Sequence, residues 1–237
     1  MKNLIIIYGP PRTASSFLLG ALVQHRQCFG TDWFKDKKVG GTNENPQLKS
    51  PGVLDTLWKK FVPKGKRNCY LVLKAPGYCF AYPYFNNLKD YECKYIFVDR
   101  DPVEIADSMW SHEASQNVLK MNLESTDCPN KDAYRDSWLL TESLPKEAKI
   151  VNRALLRYDW HIKNIPSEML EKSLTLVPYK MRKQGKEIAK KIETYLSIEP
   201  DRNMTIVLND FYHRSLTTIR RKEIEKLILS EIEEMVF

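Results

Sequence analysis

No stretch of this 237-residue chain is apolar over the roughly 20 residues that a membrane-spanning helix needs. The first residues are too poor in apolar side chains for a secretion signal, and their one apolar run leads straight into a loop. Both absences lead us to expect a cytoplasmic protein. The cysteines Cys28, Cys69, Cys79, Cys93 and Cys128 form no C-x-x-C pair and have no histidine at zinc-ligand spacing. An odd number without pattern reads as reduced structural thiols. There is no internal repeat, low-complexity tract or interdomain linker. No zinc-finger, homeodomain or similar nucleic-acid signature is present either.

What is present suits one domain over residues 1–237, with 43% hydrophobic and 28% charged residues. The net charge is +7, with basic clusters at 35–38, 59–67, 180–191 and 214–226. Such clusters are usually solvated faces, but they also steer polyanionic ligands. A nucleotide-like ligand ranks ahead of DNA or RNA.

The most informative stretch runs from Ile5 to Leu19. Leu4 to Tyr8 reads as a strand buried on both faces. Gly9, Pro10 and Pro11 stop it. Ser15 and Ser16 are placed to satisfy free amides at the start of a helix whose inward face carries Leu18, Leu22 and Val23. A strand feeding a helix in this way aims bare N–H groups and the helix dipole at one spot, which suits an anion. Against the nucleotide P-loop pattern G-x-x-x-x-G-K-S/T, Gly9 and Ser16 fit the ends. Ala14 replaces the second glycine and Ser15 the lysine, while a cation appears at Arg12.

Further on, Ser50-Pro51 opens a helix with Val53, Leu54, Leu57, Trp58 and Phe61 on its apolar face. Cys69 to Leu73 is a second strand, ending in Lys74-Ala75-Pro76-Gly77. A lysine there sits on the rim where α/β sheets bind ligands. Lys94 to Val98 is a third strand, followed by Arg100-Asp101-Pro102, with Asp101 as N-cap and Pro102 as first helical residue. Arg100 is then a forked phosphate donor or the partner of the capping aspartate. Ser108 lies about two helical turns beyond it. Residues 111–173 read as mainly helical, with Val151, Ala154, Leu155, Tyr158 and Ile162 as core. Ser173 to Val177 reads as a fourth strand leading to Tyr179, and 204–208 as another. A closing helix carries Leu216 through Met235.

Two motifs resemble those of the sulfotransferases, which use 3′-phosphoadenosine-5′-phosphosulfate (PAPS). Residues 9–16 are similar to their 5′-phosphosulfate loop, G-x-P-R/K-S/T-G/A-S/T-S/T. Residues 100–108 are similar to their 3′-phosphate signature, R-D/N-P-x-D/E-x-x-x-S. Lys74 matches the lysine of the strand-end turn between them. The resemblance covers residues 3–110 well and 174–196 loosely. It implies an α/β, three-layer domain, related to P-loop nucleotide kinases, with a parallel sheet of about five strands flanked by helices. It also implies sulfuryl transfer from PAPS to a hydroxyl or amine, leaving adenosine-3′,5′-bisphosphate and needing no metal. Pro11, Arg12, Thr13, Ala14, Ser15 and Ser16 would hold the 5′-phosphosulfate, and Arg100 and Ser108 the 3′-phosphate. Lys74 would stabilise the developing charge, and Tyr179 would lie near the donor.

The chain departs from the family in three places. Pro76 stands where cytosolic members place a histidine base, so the base falls to Glu44, with Asp32, His25 and His112 behind it. Lys180 and Arg182 replace the acids that usually follow the tyrosine at 179. The C-terminal Arg-Lys-Gly loop is missing, and Arg220 and Arg221 are the candidates to substitute. The alternatives are a magnesium-ATP kinase, with Asp99 on the metal, or a non-catalytic anion-binding module of the same fold. The acceptor stays open, whether small molecule or glycan, as does the oligomeric state. Trp33, Phe34, Tyr78, Phe80, Tyr82 and Tyr84 could stack on an acceptor or form core.

Overall fold

A computed structural model describes residues 1–31, 51–111, 118–121, 123, 129–177, 184–210 and 216–237. Its contacts divide into two units. The first comprises Met1–Gly9, Thr13–Asp99 and Ile165–His213, and the second Pro10–Arg12, Arg100–Asn164 and Arg214–Phe237.

In chain order the elements are β1 (Lys2–Tyr8), α1 (Ser15–Leu22), β2 (Cys28–Phe29), α2 (Pro51–Phe61), β3 (Tyr70–Lys74), α3 (Tyr82–Asn86), β4 (Tyr91–Val98) and α4 (Pro102–Trp110). There follow α5 (Arg135–Leu140), α6 (Lys146–Lys163), α7 (Ser167–Glu171), β5 (Ser173–Leu176), α8 (Gly185–Leu196), α9 (Arg202–Asn209), α10 (Thr218–Glu225) and α11 (Ser230–Val236).

The first unit is built on a five-stranded sheet in the order β2-β3-β1-β4-β5. Every pairing is parallel. Parallel strands need both faces covered, and the central strand shows it. Leu4, Ile5, Ile6 and Ile7 are wholly buried, each worth about 1.5–3 kcal/mol over exposure. Ile5 and Ile7 join Val72, Ile96 and Val98 in a core with Leu18 and Leu22 of α1, Ile188 and Ile192 of α8, and Met204 and Leu208 of α9. The opposite face meets α2 and α3. There Tyr82 packs on Tyr95 at 5.7 Å between ring centroids, and Trp58 on Tyr91 at 6.4 Å. The unit is thus a three-layer α/β sandwich.

In the second unit, α6 is the central helix. Its Val151, Ala154 and Leu155 are buried, while Tyr158 and Ile162 are half-buried. It packs on α4 and α11. Arg153, 2% exposed, donates to Thr141 Oγ1 and to the Leu119 carbonyl, both at 2.9 Å. It pairs with Glu142 and lies over Trp138.

Three sequence expectations fail locally. Residues 204–208 form the helix α9, not a strand. Asp201 caps it by accepting from the Asn203 amide at 2.8 Å, and Met204 and Leu208 bury themselves one turn apart while Ile206 faces outward. The fifth strand is instead β2, a two-residue element after α1. The closing helix is two helices, because buried Asn152 takes over the turn between them. Its amide donates to the Leu227 carbonyl at 2.7 Å and its carbonyl accepts from the Leu229 amide at 2.8 Å.

Candidate functional site

In the first unit the C-terminal rim of the sheet gathers the end of β1, the start of α1 and the end of β3. Gly9 leaves β1 at φ +141°, where a Cβ would stand 2.2 Å from the Val98 carbonyl oxygen. Only glycine passes there. The loop then holds two non-glycine residues in the left-handed region, Arg12 at φ 70° and Ala14 at φ 64°. Such conformations cost about 1–2 kcal/mol each. They turn the chain tightly enough that α1 starts at Ser15, with Ala14 in the cap position. Ser15 and Ser16 therefore lie inside the helix, and no side chain caps it, contrary to the sequence expectation. The first turn of α1 carries no acid, so its amides keep their preference for an anion. Pro11, Thr13 and Ser15 are buried around this turn and Ser16 is half-buried.

Lys74 is the last residue of β3 and pairs in register with Ile7 of β1. The Ala75 amide donates to the Ile7 carbonyl at 3.2 Å. Lys74 is 8% exposed, so its aliphatic stem is packed among the strand ends. Of the aromatic run that follows, Tyr78 and Tyr82 are core. Tyr78 packs edge-on to Phe85 at 5.4 Å. Phe80 and Tyr84 are half-buried.

His25 has no nitrogen to spare for an acceptor. Its Nδ1 accepts from the Gln27 amide at 3.0 Å, so Nε2 carries the proton and donates to the Glu199 carbonyl at 2.8 Å. This residue is a structural histidine. Glu44, Asp32, His112 and Tyr179, with Trp33 and Phe34, lie outside the described residues.

In the second unit, residues far apart in sequence meet at α4. Asp101 caps this helix as expected, accepting from the amides of Val103 at 2.9 Å and Glu104 at 3.1 Å. Arg100 Nη1 donates to the Arg12 carbonyl at 2.8 Å. Arg12 Nε donates to Ser108 Oγ at 3.2 Å. The three residues thus form one cluster, and Arg12, a residue of the first motif, has its side chain on the serine of the second. Burial, and then the charge of Arg100, hold the Arg12 pKa below its usual value.

The carboxylate partner of Arg100 is Glu104, one turn further on at 3.1 Å. Asp101 instead receives Arg221 at 2.7 Å. Arg220 stacks on Trp110, 3.8 Å from the ring centroid, and donates through Nε to Asp107 at 2.8 Å. Glu104 stands in the 100–108 motif, but its pairing with Arg100 was not read from the sequence, although the i,i+4 spacing is a readable signal. Asp107 and Asp101, the α4-segment partners of Arg220 and Arg221, are more than a hundred residues away, and no local pattern announces them.

Among the described residues no group of three or more His, Cys, Asp and Glu is placed to hold a metal ion. No described helix is long and apolar enough to cross a membrane.

No family model matches the sequence, and no curated protein matches it. Solved structures do. A sulfotransferase from Alicyclobacillus acidocaldarius is similar over 100% of this chain and 94% of its own, at 14% identity and TM-score 0.55. Sulfotransferase STF9 from Mycobacterium avium is similar over 98% of this chain and 75% of its own, at 11% identity and TM-score 0.55. At these identities the likeness is one of fold: the chain has the α/β sulfotransferase fold.

Proposed function

We propose that this chain, built on the sulfotransferase fold, is itself a sulfotransferase. It takes a sulfuryl group from PAPS and passes it to a hydroxyl or amine acceptor by in-line displacement. The observation that carries this reading is the cluster of Arg12, Arg100 and Ser108. Arg12 holds its proton less firmly than usual first because it is buried and then because the charge of Arg100 repels its own. A phosphate relieves that repulsion, and forked guanidiniums beside a hydroxyl suit its oxygens. The residues present therefore fit the donor.

Arg100 and Ser108 take the 3′-phosphate in this reading. Arg12, Thr13, Ser15, Ser16 and the loop amides of Pro11–Ala14 (excepting proline) take the 5′-phosphosulfate. When bound, the donor supplies the sulfuryl group and a bisphosphate leaving group. Lys74 donates to the oxygen on which negative charge grows. Glu44 remains our choice for the base that removes the acceptor's proton, and Tyr179 our choice for a donor contact. The acceptor is a small molecule or a glycan, the setting is the cytoplasm, and no metal takes part.

The test is calorimetry with adenosine-3′,5′-bisphosphate, on wild type and Arg100→Ala, with ADP and magnesium-ATP as controls. We expect tight, magnesium-independent binding of the bisphosphate, weakened by the substitution. A preference for magnesium-ATP would replace this reading with a kinase. Bisphosphate binding without sulfuryl transfer to any acceptor would leave a binding module of the same fold.

A further inference from the structure

Two consecutive arginines of α10 grip the two α4-segment residues that adjoin the proposed phosphate ligands. Arg221 bonds Asp101, the neighbour of Arg100, at 2.7 Å. Arg220 bonds Asp107, the neighbour of Ser108, at 2.8 Å. Asp101 uses both of its oxygens, and Asp107 receives Arg220 on Oδ1. Asp101 caps α4 through Oδ1 and gives Oδ2 to Arg221. Arg220 is held three ways, by Asp107, by Glu223 on its own helix and by the face of Trp110. The arginines hold their protons more firmly than usual. For Arg221 the bond to Asp101 leads, and for Arg220 the bonds to Asp107 and Glu223 outweigh burial.

We infer that Arg220 and Arg221 are positioning residues: from α10 they staple both ends of α4, and so set the spacing of Arg100 and Ser108 for the 3′-phosphate. This rests on the donor reading above, and it differs from the sequence expectation that these arginines close over the phosphate themselves. Arg100 is paired too, but with Glu104 of its own segment; these two reach from α10 to the carboxylates of α4 and of its cap, and Arg220 also to a ring. A staple needs what is seen, one cation at each end of the helix, anchored beside but not on the ligand-bearing residues.

The experiment compares Arg220→Ala, Asp107→Asn and the double variant by calorimetry with adenosine-3′,5′-bisphosphate and with adenosine 5′-phosphate. Thermal melts confirm that each variant is folded. Stapling predicts that either single substitution weakens bisphosphate binding by roughly three- to tenfold, the scale of a half-exposed ion pair with a cation–π contact. The double variant should be no weaker than Arg220→Ala alone, because that substitution already removes the bond that Asp107→Asn breaks. Binding of the 5′-phosphate should be nearly unchanged, which a general loss of structure would not allow. A direct ligand predicts the opposite sign for Asp107→Asn, since freeing Arg220 would strengthen bisphosphate binding. That result, or equal losses for both nucleotides, would overturn the staple and leave the donor reading standing. A wild type that ignores the bisphosphate would overturn the donor reading, and with it the role given to the staple.

Discussion

His161 should make the fold sensitive to mild acid. It sits in α6, 6% exposed, with Nδ1–H donating to the Arg157 carbonyl at 2.6 Å. Burial, and then the charge of Arg157, pull its pKa from the usual 6.5 down to about 4, against a small opposing effect of that hydrogen bond. The unfolded chain takes a proton on this ring near the usual value, whereas the folded chain refuses it until near 4. The unfolded state therefore binds more protons between these limits, and stability must fall as the pH falls through that window. The contribution is intact above about pH 6.5 and fully lost below about pH 4. The whole loss is roughly 3 kcal/mol, of which about 2 kcal/mol has gone by pH 5. Urea unfolding of wild type and His161→Gln at pH 7.5, 6 and 5 isolates the effect from that of the carboxylates, which both proteins share. We expect the stability difference between them to shift by about 2 kcal/mol in favour of the variant between pH 7.5 and 5. Parallel pH profiles would refute the reasoning.

Three further outcomes are expected. Lys74→Ala should lower kcat by about 10²–10³-fold, the loss of one transition-state donor, with bisphosphate affinity kept within about threefold; calorimetry beside a turnover assay separates the two, and an equal loss in both would move Lys74 to a ground-state role. Gly9→Ala should cost about 2–4 kcal/mol through the clash with the Val98 carbonyl and the backbone strain, so an unchanged urea midpoint would mean that β1 and β4 yield more easily than their packing implies. Burial pushes the Cys79 thiol up to about 12 and the Cys93 thiol up to about 11, so neither should react with an aromatic disulfide reagent at pH 8 in the folded protein; fast labelling of either, mapped by mass spectrometry, would contradict the burial.

The parts of the fold legible in the sequence were those set by local chemistry. The apolar run Leu4–Tyr8 had to be a covered strand, and Asp101-Pro102 had to open a helix, because the cap and the fixed proline φ act within a few residues. The loop was legible as a phosphate-type turn but not in its detail. Nothing in Ala14 announces a left-handed cap that pushes Ser15 and Ser16 into the helix. Residues 204–208 misled because Thr205, Ile206 and Val207 favour strands locally. Packing of Met204 and Leu208 in the core with α1 and α8 outweighed that preference. At the candidate site, Arg12, Arg100 and Ser108 were legible as motif members, while their meeting in one cluster depends on the folded chain. Glu104 was within reach through helical spacing, whereas Asp107 and Arg220 are joined only by tertiary structure.

The strand order has a bearing on what this protein can recognise. Its longest strands, β1 and β4, are internal, and the edges are β2 with two residues and β5 with four. Such short margins offer few open ladder positions. Another copy of the chain finds little template there for β-aggregation. An extended peptide, likewise, finds few positions on these described edges at which to add itself as a further strand. On the proposed activity, the acceptor is selected by side chains and loops, one contact at a time, and specificity can then change by substitution while the sheet stays as it is.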